Sequence, residues 1–350
     1  MIRAGVIGVS GLAGGELVRL LAHHPELELT FAGGSASAGL RLGELHPGLR
    51  EPGPTIQPGT EAPADRLDVV FLATPAAVSA DLAAQLTDRV PAVIDLSGAF
   101  RIRTPHIHER WYPGVARAAD LVDRCVYGAP ELVGDRMADA ALISLPGCQA
   151  TAITLGLAPL ALGLCLPLHR VLVDVKTGSS GSGLHLRTAG LHPLRSGAIT
   201  PYAPTGHRHA AEVTEFLRRA RPGAVDSLSM SAYGVPTVRG LLASIYVFTN
   251  RPLAQHELRR AYLRYYKGHP FVRLRQHTET RIPLPDPQAV SGSNYCDVTA
   301  LADEEGGRIV VLAALDNLVK GAAGQAVQAA NRRFGLAEET GLTMLPVVPA

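Results

Sequence analysis

Arg3-Ala-Gly-Val-Ile-Gly8-Val-Ser-Gly11-Leu-Ala-Gly14-Gly15 opens the chain with an apolar run, a glycine-rich turn and the start of a helix. The run reads as a strand from Ile2 to Val9. Leu17, Leu20 and Leu21 follow at helical spacing, with Glu16 in the first turn. The glycines keep a Gly-x-x-Gly-x-x-Gly spacing instead of the commoner Gly-x-Gly-x-x-Gly. Strand, turn and helix in this order let a backbone approach a pyrophosphate while the helix N-terminus holds it. A merely tight βα turn has the same local pattern. The order of elements favours dinucleotide binding, through Gly8, Ser10, Gly11, Leu12, Ala13 and Gly14.

The second strand, Glu28 to Ala32, ends at Gly33-Gly-Ser-Ala-Ser37 with no carboxylate to hold an adenosine ribose 2′-OH and repel a 2′-phosphate. Ser35 and Ser37 can donate to that phosphate, so the spacing favours NADP(H); Arg41 is the nearest arginine. Residues 43 to 65 read as loop. Strands Asp68 to Ala73 and Ala92 to Ser97 each end in a candidate ligand loop, because ligands gather at the carboxyl ends of parallel strands. Thr74, Pro75 and Ser97 therefore join the cofactor candidates. Arg101 and Arg103 either clamp an anionic substrate or are solvated loop charges.

A second decisive stretch is Ser144-Leu-Pro-Gly-Cys-Gln-Ala-Thr151. It follows the apolar Ala141-Leu-Ile, bends at Pro146-Gly147 and leads into a helix expected from Ala150 to Leu162. Cys148 thus stands where a helix begins. Free N–H groups and the positive end of the helix dipole favour a thiolate there, and a thiolate is a nucleophile toward an activated carbonyl. The other reading of Cys148 is a small buried hydrophobe.

Beyond the cysteine, the strand Val171 to Lys176 runs into Thr177-Gly-Ser-Ser-Gly-Ser-Gly183, a loop rich in donors. A polar loop carrying His185, Arg187, His192 and Arg195 leads to Tyr202-Ala-Pro-Thr-Gly-His207-Arg-His209-Ala-Ala-Glu212, whose end begins a helix reaching Arg221. Two histidines separated by one residue are expected on different sides of that helix, one of them toward Cys148. Each can equally be a core or surface histidine. No third ligand stands at a spacing that would make a metal site, so no metal is expected. Strands Leu241 to Thr249, Asn294 to Leu301 and Arg308 to Leu315, with a helix from Pro252 to Tyr266, suggest a second, largely antiparallel sheet. From Asp316 a long helix to Phe334 can return to the first domain.

At 350 residues the chain has room for two domains, and 47% hydrophobic with 18% charged residues suits a loop-rich α/β enzyme. A formal charge of +2 gives no case for nucleic acid or membrane binding. No apolar run approaches the roughly 20 residues that span a bilayer, and Met1 leads straight into the first strand pattern, so no cleavable leader is expected. Four widely spaced cysteines without a Cys-x-x-Cys pair suggest reduced thiols and a cytoplasmic location.

The order of the glycine turn, Pro-Gly-Cys, the Gly/Ser loop after Lys176, His-Arg-His-x-x-Glu and Asn317-Leu-Val-Lys-Gly-Ala-Ala-Gly-Gln-Ala resembles the N-acetyl-γ-glutamyl-phosphate reductase family, in the superfamily of aspartate-semialdehyde dehydrogenase. The resemblance implies an α/β protein: a Rossmann NADP-binding domain (1–147 and 318–350) and an α+β catalytic and oligomerisation domain (148–317), assembled as a homodimer or homotetramer. Gln149-Ala150 and Ala210-Ala211 stand where reductases of arginine synthesis usually have Tyr-Pro and x-Pro. With Tyr202-Ala-Pro-Thr-Gly ahead of the histidines, they look like the lysine-synthesis branch, the LysW-linked aminoadipate 6-phosphate reductases. There the substrate is carried on the C-terminal Glu of a small acidic amino-group carrier protein, which a basic loop from His185 to Arg195 would suit. Ser97-Gly-Ala-Phe-Arg departs from the family's usual Ser-Ala-Asp-Phe-Arg at Ala99.

By the same resemblance, Cys148 attacks an acyl phosphate, and NADPH reduces the thioester to a semialdehyde. His209 is the first choice for acid/base, His207 the substitute, and Glu212 orients the imidazole or binds the substrate amide. Arg101, Arg103, Ser179, Ser180, Gln149 and Tyr202 would hold the substrate or phosphate. Gly181 and Asn317 would touch the cofactor, Asn317 at the nicotinamide carboxamide. Two other functions fit the motifs: the same chemistry on N-acetylglutamyl phosphate, and a non-catalytic NADP-binding regulator.

Overall fold

Six short strands and the helices between them build the N-terminal sheet: β1 (Ile2–Ile7), α1 (Leu12–Leu21), β2 (Leu27–Gly33), α2 (Leu42–Leu45), β3 (Val69–Leu72), α3 (Ala76–Leu86), β4 (Ala92–Asp95), α4 (Pro105–Trp111), α5 (Ala119–Arg124), β5 (Val126–Tyr127), α6 (Pro130–Val133) and β6 (Leu142–Ser144). The computed structural model describes residues 1–184, 192–250, 252–275, 282–303 and 305–348. The strands lie in the order β2-β1-β3-β4-β6-β5, every pair parallel. Val69, Val70, Phe71 and Leu72 are fully buried, as parallel strands covered on both faces require. The chain leaves β1 for β2 on one side and returns to β3 on the other. The sequence order thus reverses at β1, and the Gly8–Gly14 turn follows that strand.

The turn is closed by contacts no side chain would permit. A Cβ on Gly14 would lie 2.0 Å from the Gly8 carbonyl oxygen. Gly8 has φ +100°, and its Cβ would lie 2.5 Å from the Ala73 oxygen. The C-terminal helix Gly324–Arg333 belongs to this unit and packs against α1. Asn331 donates to the Glu338 and Thr340 carbonyls at 3.0 and 2.8 Å, and Arg333 donates to the Ala140 and Pro91 carbonyls.

The second unit comprises α7 (Cys148–Ala158), β7 (Leu168–Thr177), α8 (His192–Arg195), β8 (Thr200–Ala203), α9 (Arg208–Ala220), β9 (Val225–Gly234), β10 (Leu241–Phe248), α10 (Gln255–Tyr265), β11 (Val272–Leu274), β12 (Cys296–Asp303) and β13 (Arg308–Leu315). Its seven strands run β11-β12-β13-β10-β7-β9-β8, with β7–β9 and β11–β12 parallel and the other pairs antiparallel. α7, α9 and α10 pack on this sheet. From Gln149 to Ala158 every residue of α7 is buried, so the helix is apolar on all sides instead of striped. It starts at Cys148 itself, two residues before the expected Ala150. A π-type turn, Pro159–Gly163, extends it through a proline that lacks an N–H to donate.

The units meet in sequence at Gly147/Cys148 and again at Gly321/Ala322, with Met344–Ala350 in the second. The expected return at residue 318 is therefore corrected. Residues 318–321 stay with the second unit, through the π-type turn Val319–Ala323 that precedes the C-terminal helix, and the last residues, 344–350, rejoin it. The strand β9 was not expected. Its Ser227, Ser229 and Ser231 alternate with Leu228, Met230 and Ala232, and it is held by pairing with β7. Among the described residues no helix is long and apolar enough to cross a membrane.

Candidate active site

Cys148 is the first residue of α7 and half-buried. A Cβ on residue 321 would lie 2.5 Å from the Cys148 Cβ, so Gly321 leaves room for the cysteine. The next residue, Gln149, is 3% exposed and ties two elements together. Its Nε2 donates to the Tyr202 hydroxyl at 2.6 Å, and its Oε1 lies 3.2 Å from Nδ1 of His209, a residue buried in the first turn of α9. Glu212, almost wholly buried, follows one turn on.

His207 is the N-cap of α9, with extended backbone (φ −150°, ψ 145°). Its Nδ1 accepts from the His209 backbone N–H at 3.2 Å. The expectation that the two rings point to different sides fails for this reason: only His209 is helical, and the ring centroids lie 4.7 Å apart. Burial, aided by the Arg208 charge, pushes the His207 pKa down to about 4. Burial likewise raises the pKa of Tyr202, partly offset by the Gln149 hydrogen bond.

Ser180 donates to the Val238 carbonyl at 2.6 Å and accepts from Asn317 Nδ2 at 2.9 Å, while Asn317 Oδ1 accepts from Gly240 N–H at 2.8 Å. The Asn317 amide thus knits the Ser180 turn to the start of β10. Ser179 is half-buried and Gly181 exposed. His185 and Arg187 lie outside the described residues. Arg195 is 8% exposed, its guanidinium 3.5 Å from the Thr177 carbonyl and from Ser182 Oγ. It braces the end of β7 and is not the exposed docking charge that the sequence suggested. Asp316, missed in the sequence, is fully buried and accepts from the N–H groups of Leu318 and Gly292. Its position directly after the last strand was the available signal.

In the first unit, Ser10 and Ser35 are exposed, and Gly11, Leu12 and Ala13 are half-buried. Ser37 is buried, and its hydroxyl finds no partner among the described residues. That orphaned hydroxyl, the exposed Ser35 and the side-chain-free turn at Gly8 and Gly14 fit a dinucleotide carrying a 2′-phosphate. Thr74 Oγ1 pairs with Ser79 Oγ at 2.8 Å, and Pro75 caps α3.

The Ser97 loop keeps a defined geometry without a carboxylate at position 99. Asp95 Oδ1 accepts from Ser97 N–H at 2.9 Å, Ser97 Oγ from Ala99 N–H at 3.1 Å, and Arg117 donates to the Ala99 carbonyl at 3.1 Å. Asp95 is fully buried, and desolvation raises its pKa. Arg101 donates to the Leu145 and Leu96 carbonyls at 2.9 and 2.6 Å; Arg103 donates to the Cys125 and Asp123 carbonyls at 2.8 and 3.0 Å. Both arginines anchor backbone as well as carrying charge. Among the described residues no group of three or more His, Cys, Asp or Glu side chains can hold a metal ion.

Residues 3–140 match the family model described as semialdehyde dehydrogenase, NAD binding domain, and residues 148–317 the one described as semialdehyde dehydrogenase, dimerisation domain. The chain belongs to the semialdehyde dehydrogenase family. A relative from Thermomicrobium roseum, provisionally named LysW-L-2-aminoadipate 6-phosphate reductase, is 41% identical over 98% of this chain and 97% of its own. The LysW-L-2-aminoadipate/LysW-L-glutamate phosphate reductases of Saccharolobus solfataricus and Sulfolobus acidocaldarius are 38% and 39% identical, each over 100% of this chain and 99% and 100% of their own. The fold is shared with solved structures. Aspartate semialdehyde dehydrogenase II of Vibrio cholerae superposes with a TM-score of 0.72 at 16% identity, over 95% of this chain and 98% of that one. The Candida albicans aspartate semialdehyde dehydrogenase, solved with NADP, gives 0.69 at 18% identity, over 94% and 98%.

Proposed function

We propose that this chain is an NADPH-dependent reductase of a carrier-protein-bound acyl phosphate, aminoadipyl or glutamyl, forming the semialdehyde in amino-acid biosynthesis. The observation that carries the chemistry is the Cys148–Gln149 step at the start of α7, whose second residue bonds the buried His209. The full-length relatives named for LysW-linked phosphates support the substrate class.

Cys148 thiolate, favoured by the N–H groups opening α7, attacks the acyl carbonyl. A carbon–sulfur bond forms, the bond to the phosphate oxygen breaks, and phosphate leaves. His209 takes the thiol proton, and its imidazolium stabilises the tetrahedral oxyanion. Bound NADPH supplies the hydride that reduces the Cys148 thioester. The adduct then collapses with return of the cysteine sulfur and release of the aldehyde. Gly8, Gly11 and Gly14 would let the pyrophosphate approach the backbone, and Ser35 and Ser37 would meet the 2′-phosphate. Arg101 adds positive charge for the acyl phosphate, and Ser179, Ser180 and Tyr202 would complete substrate binding. We assign the protein to the cytoplasm, where four free cysteines stay reduced, and to a homo-oligomer through the domain matched as a dimerisation domain.

The test compares NADPH production in reverse from two semialdehydes with phosphate and NADP. One is N-acetylglutamate semialdehyde; the other is aminoadipate semialdehyde attached to an acidic carrier protein. Turnover of only the carrier-bound compound is the expected result. Turnover of only the acetylated compound would return the chain to arginine synthesis.

A further inference from the structure

The His209–Gln149–Tyr202 chain carries information beyond the identity of the reacting groups. A carboxamide oxygen only accepts, so its contact with His209 at 3.2 Å requires the proton on Nδ1 and leaves Nε2 as the lone-pair nitrogen. In this orientation of the amide the Gln149 nitrogen donates to the Tyr202 hydroxyl at 2.6 Å. In His207 the assignment is opposite. Its Nδ1 accepts a backbone N–H, so the neutral ring carries its proton on Nε2. Two rings 4.7 Å apart thus hold opposite tautomers.

We propose that Gln149 is a positioning residue that fixes His209 as the Nδ1–H tautomer, making His209 Nε2, and no atom of His207, the proton acceptor of the reaction. This deepens the proposed function and rests on it. His207 serves as a neutral cap. Its half-buried ring resists protonation, and a proton on Nδ1 would break the bond that starts α9. Of the charged or titratable groups nearby, Arg208 acts on His207, Tyr202 packs edge-on against the His207 ring, and Cys148 and Arg195 act on Tyr202. Nothing in a proline-compatible helix start demands a glutamine after the cysteine; the hydrogen bonds on both ends of its amide do.

The experiment is nitrogen-15 NMR of the full chain with labelled histidine near pH 8, with His209→Asn and His207→Asn assigning the two rings. Expected are Nδ1–H for His209 and Nε2–H for His207. Gln149→Leu is expected to release His209 toward Nε2–H and lower kcat about tenfold, the effect of one ordinary hydrogen bond, with KM little changed. Gln149→Glu, still an acceptor, is expected to keep Nδ1–H, recover most of kcat and move the acidic limb of the kcat profile to higher pH. A parent His209 already protonated on Nε2, as a flipped amide would give, overturns the proposal. So does an unchanged tautomer in Gln149→Leu. Correct tautomers without turnover of either acyl phosphate uphold this assignment and overturn the proposed function instead.

Discussion

The glycine turn after β1 and the start of α7 are both strand-to-helix junctions, yet they are built from opposite materials. The first is made of backbone: Gly8 and Gly14 approach carbonyl oxygens so closely that a methyl group has no place. The second is made of side chains: Cys148 opens the helix, and Gln149 reaches Tyr202 and His209. A backbone site fixes shape and tolerates varied neighbours, so it supports binding. A side-chain site fixes proton positions, so it supports chemistry. Substitutions at the two should therefore fail differently, one in KM and folding, the other in kcat.

The largest effect is expected at Cys148. Cys148→Ser should lower kcat by roughly 10³-fold or more, as removal of a nucleophile does elsewhere, with the KM for NADPH within about twofold of the parent. Steady-state kinetics on the carrier-bound substrate read both numbers, and an unchanged kcat would remove the side-chain half of the contrast. Gly14→Ala should do the reverse. Its methyl group meets the Gly8 oxygen, costing about 1–3 kcal/mol of stability, visible as a lower urea midpoint together with a raised KM for NADPH. Ser35→Asp sharpens the binding half: a carboxylate at the end of β2 should shift the NADPH/NADH preference toward NADH by about tenfold or more.

The smallest effect is expected at His207, and only in acid. Its folded pKa of about 4 lies below the ordinary 6.5. The unfolded chain therefore takes up a proton in this window that the folded chain refuses. The stability linked to the neutral ring is fully present above about pH 6.5 and falls as pH drops toward 4. Asparagine caps helices well and does not titrate. His207→Asn should therefore flatten the fall in urea midpoint between pH 6.5 and 4 while changing little at pH 8. An equally steep fall would mean that His207 is protonated in the folded chain.

What was legible in the sequence follows the same division. Local spacing announces backbone constraints, and so the Gly8–Gly14 turn, the bend at Pro146-Gly147 and the helix after it, to within two residues of its start, could be read directly. Side-chain networks between distant segments could not. Gln149, Tyr202 and His209 are 60 and 53 residues apart along the bonds that join them. The role of His207 was hidden because histidine is an uncommon cap and the two histidines were read as side chains of one helix, whereas α9 starts at Arg208. Arg195 was read as part of a basic loop that docks a carrier, and is buried against the end of β7. Strand β9 went unread because its pairing with β7 is nonlocal.

The most direct measurement of the central claim is the mass of the protein after mixing with the carrier-bound acyl phosphate in the absence of NADPH. The expected result is one acyl group per chain, located by peptide mapping on Cys148, with an equivalent of phosphate released and no adduct on Cys148→Ser. Turnover with NADPH but no acyl group on Cys148 at any time would contradict the thioester route.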